Sequence, residues 1–173
     1  AGSDDLKYET ARFDRYSQYY IEKNPQFQEF KDNPDSKNAD EIKQITKDYI
    51  KYMTGKDVDV VIIATGDKSG YIRGDQTGEK KKDVFLLDVL DLFAGVGIST
   101  LYGHEASHVD DHRRGRDSGD EVNANSSGNR LTEIMGEKGK SNDFDLKKWI
   151  NTDGNLQSVM NDKNYIDSEY EGY

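Results

Sequence analysis

Cysteine is absent from the 173-residue chain, and long apolar runs are absent as well. Without cysteine, the protein has no disulfide bond, no thiol nucleophile and no cysteine-ligated metal. No apolar run approaches the roughly 20 residues that a bilayer-spanning helix requires, so we expect no membrane span. Only 33% of the residues are hydrophobic and 34% are charged, which predicts long polar stretches that remain in water.

Positive charge is also scarce. The chain has 24 basic and 34 acidic residues, a formal net charge of −10. Proteins that gain affinity by neutralising phosphates are normally basic, so this charge disfavours binding to nucleic acid and to anionic membranes. Residues 1–5 lack the features of a signal peptide, and we expect a domain cut from a longer polypeptide.

Hydrophobic periodicity predicts a pair of helices at the N-terminal end of the chain. The first is expected over about residues 5–23, and it is broken by Pro25 and by the polar stretch from Lys31 to Asn38. The second opens near residues 36–40, continues to Met53 and stops at Gly55, a residue that often ends helices.

The residue pattern in the middle of the chain predicts a small sheet. Runs rich in β-branched and apolar residues predict strands at 58–63, 71–73 and 84–87. A long stretch with a helical apolar pattern then runs from Val89 to His112, and a further helix is expected over 118–136.

The order of helices, sheet and helices indicates an α+β fold. We expect an N-terminal helical segment over 1–56, a central core over 57–140 and a polar, helical C-terminal extension over 141–173, anchored around Trp149. Together these parts are expected to form one compact domain.

All three histidines lie in one nine-residue window, at His104, His108 and His112. The first two form the pattern H-E-x-x-H with Glu105. Three His and 11 Glu placed at random would produce this pattern about 0.003 times, so chance is a poor explanation. Residues four apart share a helix face, so the imidazoles of His104 and His108 can converge on one ion.

Zinc suits this pattern because it accepts imidazole nitrogen and carboxylate oxygen in a tetrahedron. Glu105 lies about 100° around the helix from His104, beside the open coordination position. We therefore expect Glu105 to act as the base that takes a proton from metal-bound water as the water attacks a carbonyl.

The third protein ligand is less clearly indicated. Glu121 is favoured because it follows a turn-prone segment, residues 115–119, and lies near the start of the next helix. His112 is a weaker choice, because on a straight helix it lies too far along the axis to reach the same ion. Four aspartates also compete: Asp110, Asp111, Asp117 and Asp120.

Other polar side chains near the motif admit two interpretations. Tyr71 and Tyr102 could donate a hydrogen bond to an oxyanion, or could simply pack in the core. The basic cluster of Arg113, Arg114 and Arg116 could bind phosphate or a substrate carboxylate, or could complement the C-terminal dipole of the helix.

Residues 58–136 resemble the core of zincin-like metallopeptidases: a small sheet, an apolar segment at residues 99–103, a helix with H-E-x-x-H, and a later helix with an acidic residue. The sequence L-Y-G-H-E-A-S-H-V-D-D is similar to segments in the C-terminal domains of large bacterial adhesin-like and polymorphic toxins. The run E-V-N-A-N from Glu121 resembles the pattern in which gluzincin-type peptidases present their third ligand. The resemblance implies His104, His108 and Glu121 as zinc ligands and Glu105 as the base.

We therefore expect a zinc-dependent hydrolase of peptide or amide bonds, with Glu105 and Tyr102 in catalytic positions. The toxin resemblance implies export as part of a larger protein and delivery into a target cell, whose cytoplasm is one destination. It also implies a cognate immunity protein as partner. Two other functions remain open. One is a nuclease toxin that uses His104 or His108 with the arginine cluster, and the other is a binding module whose metal only stabilises the fold.

Overall fold

The computed structural model describes residues 15–64, 69–74, 82–93, 98–113, 146–152 and 154–169. Over these residues the protein is a mixed α+β fold with six α-helices and one three-stranded sheet. The helix expected over 118–136 lies outside the described residues. No helix in the described ranges combines the length and the apolar character that crossing a membrane requires.

The N-terminal helices are three rather than the expected pair. Helix α1 is described over residues 15–23, and residues 5–14 of the expected first helix lie outside the described residues. α2 covers Pro25–Asp32 and α3 covers Ala39–Thr54. Pro25 was expected only to break a helix, but it also begins one. Proline is accepted in the first turn because its missing N–H would have no partner there, and the Asn24 side chain caps this turn by accepting from Phe27 N at 2.9 Å.

Helix α3 has strong signals at both ends. Asn38 and Glu41 form a capping box, in which each side chain accepts a hydrogen bond from the other residue's backbone N–H. Gly55 ends the helix in the left-handed region at φ 75°, where a side chain would be strained. The stop predicted at Gly55 is confirmed.

The three strands are β1 (Asp59–Ile63), β2 (Gly70–Ile72) and β3 (Val84–Asp88), close to the predicted positions. β3 is central. It pairs in parallel with β1 and antiparallel with β2, which gives the order β1–β3–β2. Side chains alternate between two faces. One face joins the main core and carries Val60, Ile62, Phe85 and Leu87; the other carries Val61, Ile63, Ile72, Val84 and Leu86.

The stretch expected to be helical from Val89 begins differently. Val89–Phe93 is a 3-10 segment, and helix α4 covers Ile98–Arg113. The early part is tied to the end of β3, since Leu90 N donates to Asp88 Oδ1 at 3.0 Å. α4 packs against α3 and β2 and buries Ile98, Tyr102 and Val109 in the main core.

The C-terminal helices are α5 (Leu146–Ile150) and α6 (Asn155–Glu169). Trp149 is buried in the main core and donates through Nε1 to the Lys37 carbonyl at 2.8 Å. α6 packs on β1 and α3, and its Ile166 contacts the second face of the sheet. α6 therefore lies along the β1 edge of the sheet, with Val159 in the main core and Ile166 against the second face.

Candidate functional site

The two H-E-x-x-H histidines lie on a helix whose two sides have different surroundings. Because α4 turns by about 100° per residue, Tyr102 and Val109 fall on one side while His104 and His108 fall on the other. Tyr102 and Val109 are fully buried in the main core, His108 is 6% exposed and His104 is partly buried. The packing of the core side thus fixes the direction in which both imidazoles point.

The imidazoles of His104 and His108 face each other through their Nε2 atoms. These atoms are 3.2 Å apart, and the ring centroids are 4.9 Å apart at an interplanar angle of 73°. Two nitrogens bound to one tetrahedral zinc ion at about 2.0–2.1 Å would be separated by about 3.3 Å. The observed separation matches two ligands of a shared ion. Without an ion, the same contact is a hydrogen bond in which one ring donates and the other accepts.

Glu105 follows His104 and lies between the histidine side and the core side of α4. It is only 4% exposed. A carboxylate at this depth costs free energy unless donors or a cation compensate its charge. The position suits a base that acts beside an ion held by His104 and His108.

Asp110 and Asp111, two of the alternative third ligands, are also buried, at 7% and 2% exposure. Within the ranges that the structure describes, no set of three His, Asp or Glu side chains is arranged to hold a metal ion. Neither aspartate therefore joins His104 and His108 in a three-ligand site.

The favoured third ligand, Glu121, lies outside the described residues, so its role stays a prediction. Four other candidates also lie outside the described residues: Asp117, Asp120, Arg114 and Arg116. His112 and Arg113 belong to the last turn of α4, but their side chains are not described.

Tyr102 lies at the centre of the core, away from the histidines. Its hydroxyl is 2.5 Å from Thr46 Oγ1, and its ring contacts Phe27, Tyr49 and Phe85 at centroid distances of 5.6, 5.7 and 5.4 Å. Burial raises the pKa of the Tyr102 hydroxyl well above its usual range. This position supports the packing interpretation of Tyr102, and we assign it no role at the site.

Tyr71 donates its hydroxyl hydrogen bond to Asp83 Oδ2, so that proton is already engaged with a carboxylate. Asp83 also accepts from Gly74 N at 2.8 Å and from Lys56 Nζ at 2.9 Å. Burial by itself raises the pKa of Asp83, but the hydrogen bonds from Gly74, Tyr71 and Lys56, with the charge of Lys56, bring it below its usual value.

The importance of Asp83 was not anticipated from the sequence. Its three donors come from three separate segments: the connection after α3, strand β2 and the residues that follow β2. The only local signal is an acidic residue immediately before an apolar strand. Its partners depend on strand pairing, which the sequence pattern does not specify.

The residues present fit zinc as far as they are described. Two imidazoles with converging Nε2 atoms form a pair of ligands that zinc prefers, and the buried carboxylate of Glu105 follows His104 directly in the sequence. Comparison of the chain with models of protein families, with curated proteins and with solved structures finds no match.

Proposed function

We propose that the protein is a zinc-dependent hydrolase of peptide or amide bonds with a zincin-like core. The observation that carries the proposal is the 3.2 Å separation of His104 Nε2 and His108 Nε2, together with the burial of Glu105, the residue that follows His104. An α+β fold in which this helix packs against a small sheet is compatible with such a core.

The proposed roles of His104, Glu105 and His108 follow from their positions on α4, whereas that of Glu121 rests on the sequence alone. His104 and His108 hold the ion through Nε2, and Glu121 is the proposed third ligand. Glu105 accepts the proton from the water that attacks the scissile carbonyl and can return it to the leaving nitrogen. Bound zinc supplies Lewis acidity, which lowers the pKa of a water ligand to near 7.

The depth of the site favours this chemistry. Because Glu105 and His108 are almost fully buried, water competes little with their electrostatic interactions. The resemblance to bacterial toxin domains adds the proposals of export within a larger protein and of a dedicated inhibitor protein as partner.

Metal analysis tests the proposal directly. Protein purified without a His-tag and without added metal should contain one zinc ion per chain by elemental analysis. His104→Ala and His108→Ala should each remove it, because two remaining ligands form a weak chelator.

His112→Ala is the matched control, since it removes a histidine from the same helix. We expect it to leave zinc affinity within a few-fold of that of the unaltered protein. Zinc content that is unchanged by His104→Ala and His108→Ala would refute the site. Loss of zinc in His112→Ala but not in Glu121→Gln would refute the choice of Glu121 as third ligand.

A further inference from the structure

Strand β2 is too short to be held firmly by its own pairing. It has three residues and pairs with β3 through Gly70↔Leu86, Tyr71↔Phe85 and Ile72↔Val84. It begins with glycine, which loses the most backbone entropy on folding. In the described part of the chain it is an edge strand, with β3 as its sole strand neighbour. Other contacts must therefore keep it in place.

The beginning of β2 is fastened by Asp91. Both the backbone N–H and the Oγ of Ser69, the residue before β2, donate to Asp91 Oδ2, at 2.8 and 2.6 Å. The same Oγ accepts from Asp88 N at 2.9 Å. Asp88 ends β3 and Asp91 lies in the 3-10 segment that follows, so the start of β2 is tied to the end of its neighbour.

The end of β2 is fastened by Asp83. Tyr71, in the strand, and Gly74, just after it, both donate to this carboxylate, and Lys56 neutralises its charge at 2.9 Å. Asp83 is 9% exposed. Hydrogen bonds to an ionised acceptor are stronger than those between neutral groups, and more so when little water competes. At each end of β2, one backbone N–H and one side-chain hydroxyl thus donate hydrogen bonds to the same carboxylate.

The strand held in this way lies beside the helix that carries the histidines. β2 packs against α4, and Tyr71 is on the sheet face that packs against the main core. We propose that β2 is a strap that detaches and reattaches as a unit beside α4, with Asp83 and Asp91 as its two fasteners. Detachment uncovers the surface of α4 that β2 packs against, so the two carboxylates control the exposure of one side of this helix. The inference holds whether or not a metal binds.

Amide hydrogen exchange measured by NMR on the full chain tests the strap. We expect the protected amides of β2 to exchange at least about tenfold faster than those of β1, through an opening that leaves the rest of the sheet intact. Asp83→Asn and Asp91→Asn should each accelerate exchange in β2 by a further 10- to 100-fold, roughly the effect of weakening charged hydrogen bonds. Exchange in β1 should change by less than about threefold.

Asp162→Asn is the matched control at the opposite edge of the sheet. Asp162 also accepts from a backbone N–H, that of Ile62 at 2.8 Å, and pairs with Lys43 at 2.7 Å, but it lies on α6. This variant should accelerate exchange in β1 and α6 and leave β2 unchanged. If Asp83→Asn does not fold, Tyr71→Phe can replace it, since this change removes one donor and keeps the ring. Amide exchange in β2 should then be several-fold faster, with exchange in β1 unchanged.

Equal exchange rates in β1 and β2, rising together in the Asp83 and Asp91 variants, would overturn the proposal, because β2 would then open only when the whole domain unfolds. The connection with α4 has its own readout in the ring proton shifts of His104. These should move in Asp83→Asn and Asp91→Asn but not in Asp162→Asn. Unmoved shifts together with accelerated β2 exchange would show that the strap does not control the exposure of this side of α4.

Discussion

The positions on α4 suit different roles for the two histidines, His104 and His108, and for Glu105. The histidines bring two nitrogens to within 3.2 Å of each other, which suits one ion, whereas Glu105 is buried at a helix position between them and the core side. A ligand and a base should therefore respond differently to substitution. Loss of a ligand removes the metal, but loss of the base removes only proton transfer.

Glu105→Gln separates these two roles. The variant should retain zinc, because the amide is nearly isosteric with the carboxylate and both imidazoles are unchanged. Activity on peptide substrates, or toxicity in a recipient cell, should fall about 100- to 10,000-fold, the usual contribution of a general base. Zinc content and turnover measured on the same preparation check the prediction.

Two results would contradict it. Full activity would show that Glu105 does not take the proton, and loss of zinc would show that Glu105 itself helps to hold the ion. Retained zinc in a protein without detectable hydrolysis, before as well as after substitution, would favour a metal that only stabilises the fold.

Tyr102→Phe tests whether the tyrosine is structural. The change removes the hydrogen bond to Thr46 but leaves the ring packed, and Thr46 Oγ1 still donates to the Ile42 carbonyl at 2.7 Å. We expect the free energy of unfolding to fall by about 1 kcal/mol, with zinc affinity and turnover within about threefold.

Thr46→Val provides the partner variant for a double-mutant cycle with Tyr102→Phe. If the two hydroxyls mainly serve each other, the double variant should be less destabilised than the sum of the single variants. A large loss of turnover in Tyr102→Phe at unchanged stability would restore a catalytic role.

The helix rule that predicted the histidine pair also predicts the position of Tyr102. Residues four apart lie on one face, whereas Tyr102 and His104 are two apart and therefore about 200° around the helix from each other. The spacing alone thus argued against Tyr102 as a catalytic group. By contrast, the partners of Asp83 come from distant segments, and no spacing rule could have identified them.

At the level of elements, the two edges of the sheet are protected in different ways. At the β1 edge, Asp162 of α6 accepts from Ile62 N, so a helix covers the strand. At the β2 edge, the strand is fastened at its ends by carboxylates. Edge strands with unpaired backbone groups invite association, and both arrangements oppose this.

The strands and α3 could be predicted because β-branched runs, a capping box and Gly55 are local signals. The sequence analysis does not predict helix α2, because it interprets Pro25 as a break alone. Asn24, the residue immediately before Pro25, is the N-cap of this helix. The order β1–β3–β2 could not be predicted, since it depends on which elements cover each face rather than on any one run of residues.

Asp83 should make the stability of the protein sensitive to acid. Burial raises its pKa, but the donors Gly74, Tyr71 and Lys56 lower it further, so the folded state holds the proton less tightly than the unfolded state does. The resulting stabilisation is fully present above the unfolded pKa. It is lost as the pH falls below the usual value of 3.8 and through the lower pKa of the folded state.

Urea unfolding of the unaltered protein and of Asp83→Asn between pH 7 and pH 2 measures this effect. The stability difference between the two should be largest near neutral pH and should shrink in acid. Asp57→Asn is a suitable control, because that carboxylate is 71% exposed and its ion pair with Lys51 lies at the surface. A constant difference between the unaltered protein and Asp83→Asn down to the lowest pH would contradict the prediction.

At the scale of the whole molecule, the C-terminal helices complete the packing of the N-terminal ones. Asn155, which is 1% exposed, accepts from Ala39 N at 2.8 Å and donates through Nδ2 to the Trp149 carbonyl at 2.8 Å. It therefore caps α3 from a distance of 116 residues along the chain. The residues assigned to a C-terminal extension thus contribute directly to the main core.

Asn155→Ala should destabilise the protein by about 2 kcal/mol, because it leaves the buried Ala39 N–H without its acceptor. It also removes one of the donors to the Trp149 carbonyl, which keeps its hydrogen bond from Thr152 N at 3.1 Å. Asn161→Ala, on the exposed side of the same helix, should change stability by no more than about 0.5 kcal/mol. Urea unfolding followed by the fluorescence of Trp149, the single tryptophan, gives both values. Similar losses in the two variants would mean that the cap is unimportant.

The contacts of α6 also determine when the chain can finish folding during its synthesis. Lys43 and Asp162 pair across 119 residues, and Ile62 N and Asp162 across 100. At about 5–20 residues per second, a ribosome needs roughly 6–24 s to make the chain between Lys43 and Asp162. During that interval the buried surfaces of α3 and β1 lack the helix that covers them. The nascent protein therefore spends seconds in a state that chaperones and proteases can recognise, and its final folding step must follow the synthesis of α6.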